Sequence, residues 1–597
     1  MPFAVFRRYQ KKMLAVLAVF LASAAAPPAA PATNGPAAAT ATPAGIDPIA
    51  VLARAYIAEA EVRDPLFADG IGVHTQDDRL ADYSAAGHAA RMAWLRGWRT
   101  RIDAASAGLT DTAQIADAHA LRDAIDLELF EDARLRPMAT DPTVYTNAIG
   151  SAIYQLTGRT YAPRAERLAH VAARLRLLPG VVAAAKANLQ RPPRVVTLQA
   201  MDENAGTVAM IAALPATPAI ARSRPAALRA LRAFQAFLSG PLLARSDGTT
   251  RVGAAVYDRE LQLAEGTDAT RADLTRRARA DFDATRARML ALALPLDRHL
   301  FPNDTAAENR PDAVDVVVRR VLDKLADDHP GRDGIFPAAK ADVAAAERFI
   351  AAHHVLRLPA PDTLHVTPTP AFMAGFGGAS LDAPGPFTPL AESYYYIDAI
   401  PASWTAAHVA SYLRDYNTYE MKMLSLHEAM PGHYVQIRYD NATPSLVRRI
   451  FANGSFVEGW AVYVEGMMVD AGYGGGDPRL KLFQLKWRLR EQANTLIDAG
   501  FHAQGMTKAQ LEDLLVRQAY QERAQVDTKW HRLQLSHNQL SSYYVGLDAI
   551  TRTRDAMKTA LGDRFDLAAF NQALLAIGSV EPRYVLPLVA AKLGVPT

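Results

Sequence analysis

The chain has 597 residues, half of them apolar and about a fifth charged, which is the make-up of a globular protein with room for a large core. Its formal charge of +3 becomes −1 once Arg7, Arg8, Lys11 and Lys12, the cations of an acid-free N-terminal segment, are set aside, so no basic domain points to a nucleic-acid partner. There is no cysteine, which excludes disulfides and thiolate metal sites and leaves His, Asp and Glu to bind any metal.

Residues 1–26 read as a secretory signal. A basic run ends at Lys12, an apolar run covers Met13 to Leu21, and Ala22-Ser-Ala24 offers small residues for cleavage. The apolar run is shorter than the roughly 20 residues a membrane span needs. A periplasmic or secreted protein without a membrane attachment is therefore expected, and the lack of cysteine speaks against a lipid anchor. Residues 27–46, mostly Ala, Pro, Thr and Gly, predict a flexible tether.

From residue 47 to 358 the texture predicts an N-terminal helical region. Apolar residues recur at three- and four-residue spacing, as in Ala165 to Leu178 and Pro225 to Leu238, with breaks at Pro179-Gly180, Pro192-Pro193 and Gly240-Pro241. No fixed period marks a solenoid. Residues 359–597 form the expected catalytic region. It opens with loops rich in Pro and Gly and two strand candidates, Thr363 to Thr367 and Ser393 to Ile397, before helical patterning resumes at Ser403. The expected fold is mainly α, a large helical body with one small β-sheet near the active site.

Residues 424–434 carry the chemistry, reading Leu-Ser-Leu-His-Glu-Ala-Met-Pro-Gly-His-Tyr. Val409, Tyr412, Leu413, Tyr416, Tyr419, Met423 and Leu426 lie on one stripe, which predicts a single helix from Val409 to His427 entering the core. Zinc signatures usually space two histidines by four so that they share a helix face. Here the spacing is six, which on an ideal helix swings His433 roughly 120° away from His427. Pro431 and Gly432 supply the remedy: Pro431 forces a kink or restart, and Gly432 permits backbone geometry that a straight helix forbids. Glu428, beside the first histidine, is then placed as a general base.

Ser455-Phe-Val-Glu458 begins another helical stripe, formed by Phe456, Val457, Trp460, Ala461, Val464 and Met468. Glu458 fits two roles: N3 of a capping box with Ser455 at the N-cap, or third metal ligand. Glu465 lies seven residues on, near the same face, as a partner behind the ligands or the alternative ligand.

His-Glu-Ala-Met-Pro-Gly-His433, Glu458-Gly-Trp460 and Ser542-Tyr-Tyr-Val-Gly546 together resemble the bacterial family called domain of unknown function 885. Gly70-Ile-Gly-Val-His74 and Asp78 to Tyr83 are similar to its opening, so the resemblance spans most of the chain. It implies a helical, zinc-dependent peptidase-like fold, distantly similar to thimet oligopeptidases and related carboxypeptidases. In the thimet group the ligand glutamate also follows the second histidine by 25 residues within a Phe-Val-Glu stretch, which implies Glu458 rather than Glu465 as ligand.

The expected centre is one zinc ion on His427, His433 and Glu458, with Glu428 as general base. Tyr543, Tyr544 and His537 are candidates to stabilise the tetrahedral intermediate, and the family element favours Tyr543. Tyr394, Tyr395 and Tyr396 fit two readings, an exposed strand edge able to pair with an extended peptide, with Gly377 and Gly378 letting the substrate backbone approach, or three tyrosines buried in the core. The expected function is a zinc metallopeptidase acting on oligopeptides. The alternatives are a zinc amidohydrolase on cell-wall peptides or amino-acid conjugates, and a catalytically inactive helical peptide-binding protein. Nothing in the sequence fixes an oligomeric state.

Overall fold

The computed structural model describes residues 47–304, 306–369 and 379–596. The signal and tether segments, and with them Gly377 and Gly378, lie outside the described residues. The fold is mainly α, with one three-stranded sheet among the described residues. The elements that position the site are helix α1 (Arg271–Leu300), strands β1 (Leu364–Pro368), β2 (Ala379–Asp382) and β3 (Ser393–Ile397), and helices α2 (Thr418–Glu428), α3 (His433–Ala442), α4 (Gly454–Asp470), α5 (Pro478–Gln504), α6 (Ala524–Leu535) and α7 (Ser542–Leu561).

An N-terminal core gathers Tyr145, Leu175, Ile211 and Phe234 from helices between residues 143 and 237. The largest core draws mainly on the later helices. It joins Phe282 and Met289 of α1 to Met423 of α2, Trp460 and Val464 of α4, Leu489 of α5 and Tyr544 of α7. Helix Arg164–Asn188 is long and apolar enough to cross a membrane, but its Val171, Leu175 and Leu178 are fully buried in the N-terminal core.

The stripe expected to run unbroken from Val409 to His427 is two helices, Ala406–Asp415 and α2. Asn417 causes the break. Its side chain accepts from the backbone N–H groups of Tyr419 and Glu420 at 3.0 and 3.1 Å, a cap worth about 1 kcal/mol. Each resulting helix keeps part of the apolar stripe, so the periodicity survived the break.

The sheet order is β1-β3-β2, with β1 parallel and β2 antiparallel to β3. Ser393–Ile397 is therefore the central strand, not an edge, because Tyr395 pairs with Val366 on one side and Leu381 on the other. No side of it is left for a peptide. Tyr395 is fully buried and Tyr396 nearly so, while half-buried Tyr394 stacks on Tyr396. The three tyrosines brace the sheet. Tyr395 reaches α2, its hydroxyl 3.5 Å from the Ser425 hydroxyl.

Candidate metal centre

Helix α4 is buried on every side from Ser455 to Val469, as a helix with so few polar residues must be. Glu458 and Glu465 are its only charged residues in that stretch, two turns apart on one face. Buried carboxylates require partners. Both find them in the histidines of α2 and α3.

The six-residue spacing is resolved by a break. Helix α2 ends at Glu428, the Met430–Pro431 peptide is cis, and α3 starts at His433. Gly432 folds so tightly over the end of α2 that a Cβ there would lie 1.8 Å from the His427 carbonyl oxygen. Only glycine fits. The Trp460 indole N–H donates to the Pro431 carbonyl at 2.9 Å and ties the turn to α4. The two histidines thus belong to different helices and meet with ring centres 4.8 Å apart, nearly perpendicular at 85°.

Glu465 engages His427 from behind, with its Oε1 2.8 Å from Nδ1. That contact turns Nε2 of His427 toward Glu458, whose Oε2 lies 3.7 Å from it and 3.6 Å from Nε2 of His433. A tetrahedral zinc with bonds of about 2.0–2.2 Å sets its ligand atoms roughly 3.4 Å apart, so these separations fit one ion. His427, His433 and Glu458 are each buried, and Nδ1 of His433 has no hydrogen-bond partner among the described residues.

The electrostatics point the same way. Burial by itself would lower the affinity of His427 for its proton, but the carboxylates of Glu458 and Glu465 outweigh it and hold that proton well above the usual histidine range. Burial also lifts Glu465, against the pull of His427. Two buried carboxylates beside two imidazoles favour positive charge there, whether a proton on His427 or a bound cation carries it.

Glu428 is half-buried and makes no hydrogen bond or ion pair among the described residues. It lies within electrostatic reach of His427 and Tyr395.

The capping-box alternative for Glu458 is overturned. The N-cap of α4 is Asn453, which accepts from the Phe456 N–H at 3.1 Å, and the Ser455 hydroxyl instead donates to Glu265. Glu458 sits inside the helix with no cap to serve.

The three oxyanion candidates separate. Tyr544 donates its hydroxyl to Asp281 of α1 at 2.7 Å, away from the histidines. His537 lies against Glu260, beside the ring of His502. Tyr543 lies one turn before the point where α4 and α7 cross with almost no gap, a Cβ on Gly459 falling 2.4 Å from the carbonyl carbon of Gly546. Its hydroxyl accepts from Arg532 of α6 at 3.2 Å.

Sequence reasoning did not single out Arg532. It stands on another helix with no fixed offset from the motif, so no local pattern marked it. Two other arginines of the C-terminal region, Arg523 and Arg583, are engaged elsewhere. Arg523 is exposed and pairs with Glu512, and Arg583 binds the Gly266 carbonyl and Asp123.

A model for bacterial proteins of unknown function, DUF885, matches residues 65–586. The chain belongs to this family. The match takes in every residue of the candidate metal centre as well as Gly70 to His74, where the sequence resembled the family's opening. A presumed lipoprotein of unknown function from Shewanella oneidensis is 28% identical with a TM-score of 0.77, over 90% of this chain and 99% of that one. A presumed lipoprotein from Colwellia psychrerythraea is 17% identical with a TM-score of 0.71, over 92% of this chain and 98% of that one, and shares the fold. No curated protein matches the chain.

Proposed function

We propose that this DUF885 protein is a zinc-dependent metallopeptidase that hydrolyses oligopeptides outside the cytoplasm. The observation that carries the reading is the trio of buried ligand atoms, with Glu458 Oε2 3.6 and 3.7 Å from the two imidazole nitrogens and Glu428 standing unpaired beside them. The peptidase assignment draws on the resemblance of that motif to the thimet group. The extracytoplasmic assignment draws on the signal-like N-terminus and on the two relatives described as presumed lipoproteins.

His427, His433 and Glu458 would hold the ion, which when bound supplies Lewis-acid activation of water and of the scissile carbonyl. Glu428 takes the proton of the attacking water and returns it to the leaving amine, a role worth about 10²–10⁴ in rate. Tyr543 donates its hydroxyl to the carbonyl oxygen as negative charge develops there. Glu465 keeps His427 in the tautomer that turns Nε2 to the front.

The test is digestion of an oligopeptide library by zinc-loaded protein, read by mass spectrometry beside Glu428→Gln. We expect cleavage by the wild type, a loss of at least about a hundredfold in the variant, and unchanged zinc content in both. Equal turnover by Glu428→Gln would remove it as the base. A fully zinc-loaded wild type that cleaves no peptide would overturn the peptidase reading.

A further inference from the structure

We infer that Arg532 is the specificity residue of this site, gripping the C-terminal carboxylate of the substrate, and that the enzyme is a carboxypeptidase. The inference rests on the peptidase reading above.

Arg532 is half-buried yet forms no ion pair with a carboxylate among the described residues. Glu458 and Glu491 act on it through space and help it keep its proton, but neither closes an ion pair on it among the described residues. Its protein contacts fix its position. Nη2 donates to the Gln539 side chain and to the Tyr543 hydroxyl, and neither partner carries a charge to neutralise it. Nε and Nη1 make no hydrogen bond to the protein among the described residues, so N–H groups remain for a bound carboxylate.

The placement is right for a terminal carboxylate. Glu458 adjoins Gly459, where α4 meets α7, and Tyr543 lies one turn before Gly546 at the same crossing. Glu458 is within electrostatic reach of Arg532. Arg532 is 3.2 Å beyond the Tyr543 hydroxyl. Successive residues of a peptide are about 3.8 Å apart, so a carbonyl held at Tyr543 puts a carboxylate one residue later within the reach of Arg532. The expected product is a single C-terminal amino acid.

The neighbouring arginines fit less well. Arg490 pairs with Glu491 at 3.3 Å and stacks on Trp487. Arg488 abuts Gly466, eight residues beyond Glu458 and so about 12 Å further along α4.

The test compares a mixture of N-acetylated tripeptides bearing free C-termini with the same mixture amidated. Two readouts are taken: product formation by zinc-loaded wild type, and the thermal shift each mixture gives with the zinc-loaded Glu428→Gln variant. We expect the free acids to be cleaved by loss of the last residue at least about tenfold faster than the amides, and to give the larger thermal shift. Arg532→Gln should abolish both preferences with zinc content unchanged, and Arg532→Lys should restore part of them. Wild type that cleaves amides and acids alike, or cuts within longer chains, overturns the assignment to Arg532 while the peptidase reading stands. Absence of cleavage and of any thermal shift in fully zinc-loaded protein overturns both.

Discussion

Among the described residues two clusters of histidine and carboxylate have ligand atoms close enough to share an ion: His427, His433 and Glu458 in the C-terminal half, and Asp69, His74 and Asp77 near the N-terminus. In each, a carboxylate holds the histidine Nδ1, Glu465 at 2.8 Å from His427 and Asp77 at 3.1 Å from His74. They differ in what balances the charge. In the N-terminal cluster Arg174, fully buried, bonds both oxygens of Asp69 at 2.6 and 3.1 Å. The Tyr161 hydroxyl donates to Asp77, and its ring stacks flat on His74 with centres 3.4 Å apart. The positive charge is built into the protein. In the C-terminal cluster no described ion pair joins an arginine or lysine to Glu458 or Glu465; Arg532 acts on Glu458, and Arg488 and Arg490 on Glu465, only through space. Matching ligand types therefore do not by themselves favour an ion; the two clusters differ in whether a cation is bonded within them.

The largest effect expected from this contrast is in metal content. Elemental mass spectrometry of the purified protein after incubation with zinc should find about one ion per chain, and none in the His427→Ala/His433→Ala double variant. His74→Ala should leave the count at one. A second ion lost with His74 would show that the N-terminal cluster binds metal despite Arg174, and the contrast would break.

Stability gives the next effect. Arg174→Met strands the Asp69 carboxylate in the core and should cost about 3–5 kcal/mol, read from denaturant unfolding. The double variant Arg174→Met/Asp69→Leu should recover much of that loss, because removing both charges costs far less than orphaning one. A loss in Arg174→Met that zinc reverses would mean an ion can replace the guanidinium. That would sharpen the equivalence between built-in and bound cation.

The mainly α fold was legible because the apolar residues of this chain recur at helical spacing, and both strand candidates fell within a residue of β1 and β3. The break between the two histidines was legible too, since Pro431 and Gly432 leave a helix little choice. Other features depended on contacts that periodicity does not encode. The stripe through Tyr416 hid a cap at Asn417, because one polar residue in an apolar run looks like surface. Ser455 matched a capping box, but Asn453 took the cap while Ser455 turned to Glu265, a partner 190 residues away. Strand order is likewise non-local: β2 fills the side of Ser393–Ile397 that the sequence left open to substrate. Arg532 had no local signal, because its meaning lies in Tyr543 on the next helix.

The smallest expected effect concerns the carboxylates behind the two histidines, and it tests the part of the comparison where the clusters look alike. If Glu465 acts only by orienting His427, Glu465→Gln should lower zinc affinity by about 10–100-fold while keeping one ion per chain, as competition with a chromophoric chelator would show. Glu458→Gln should lower it further, because that change removes the ligand itself. The corresponding Asp77→Asn change should leave zinc affinity alone, since the Tyr161 ring covers His74 and Arg174 already balances Asp69. If Glu465→Gln proves the more damaging of the α4 pair, the assignments of ligand and orienting residue exchange. His427 would then have to bind through Nδ1, the nitrogen that faces Glu465, rather than through Nε2.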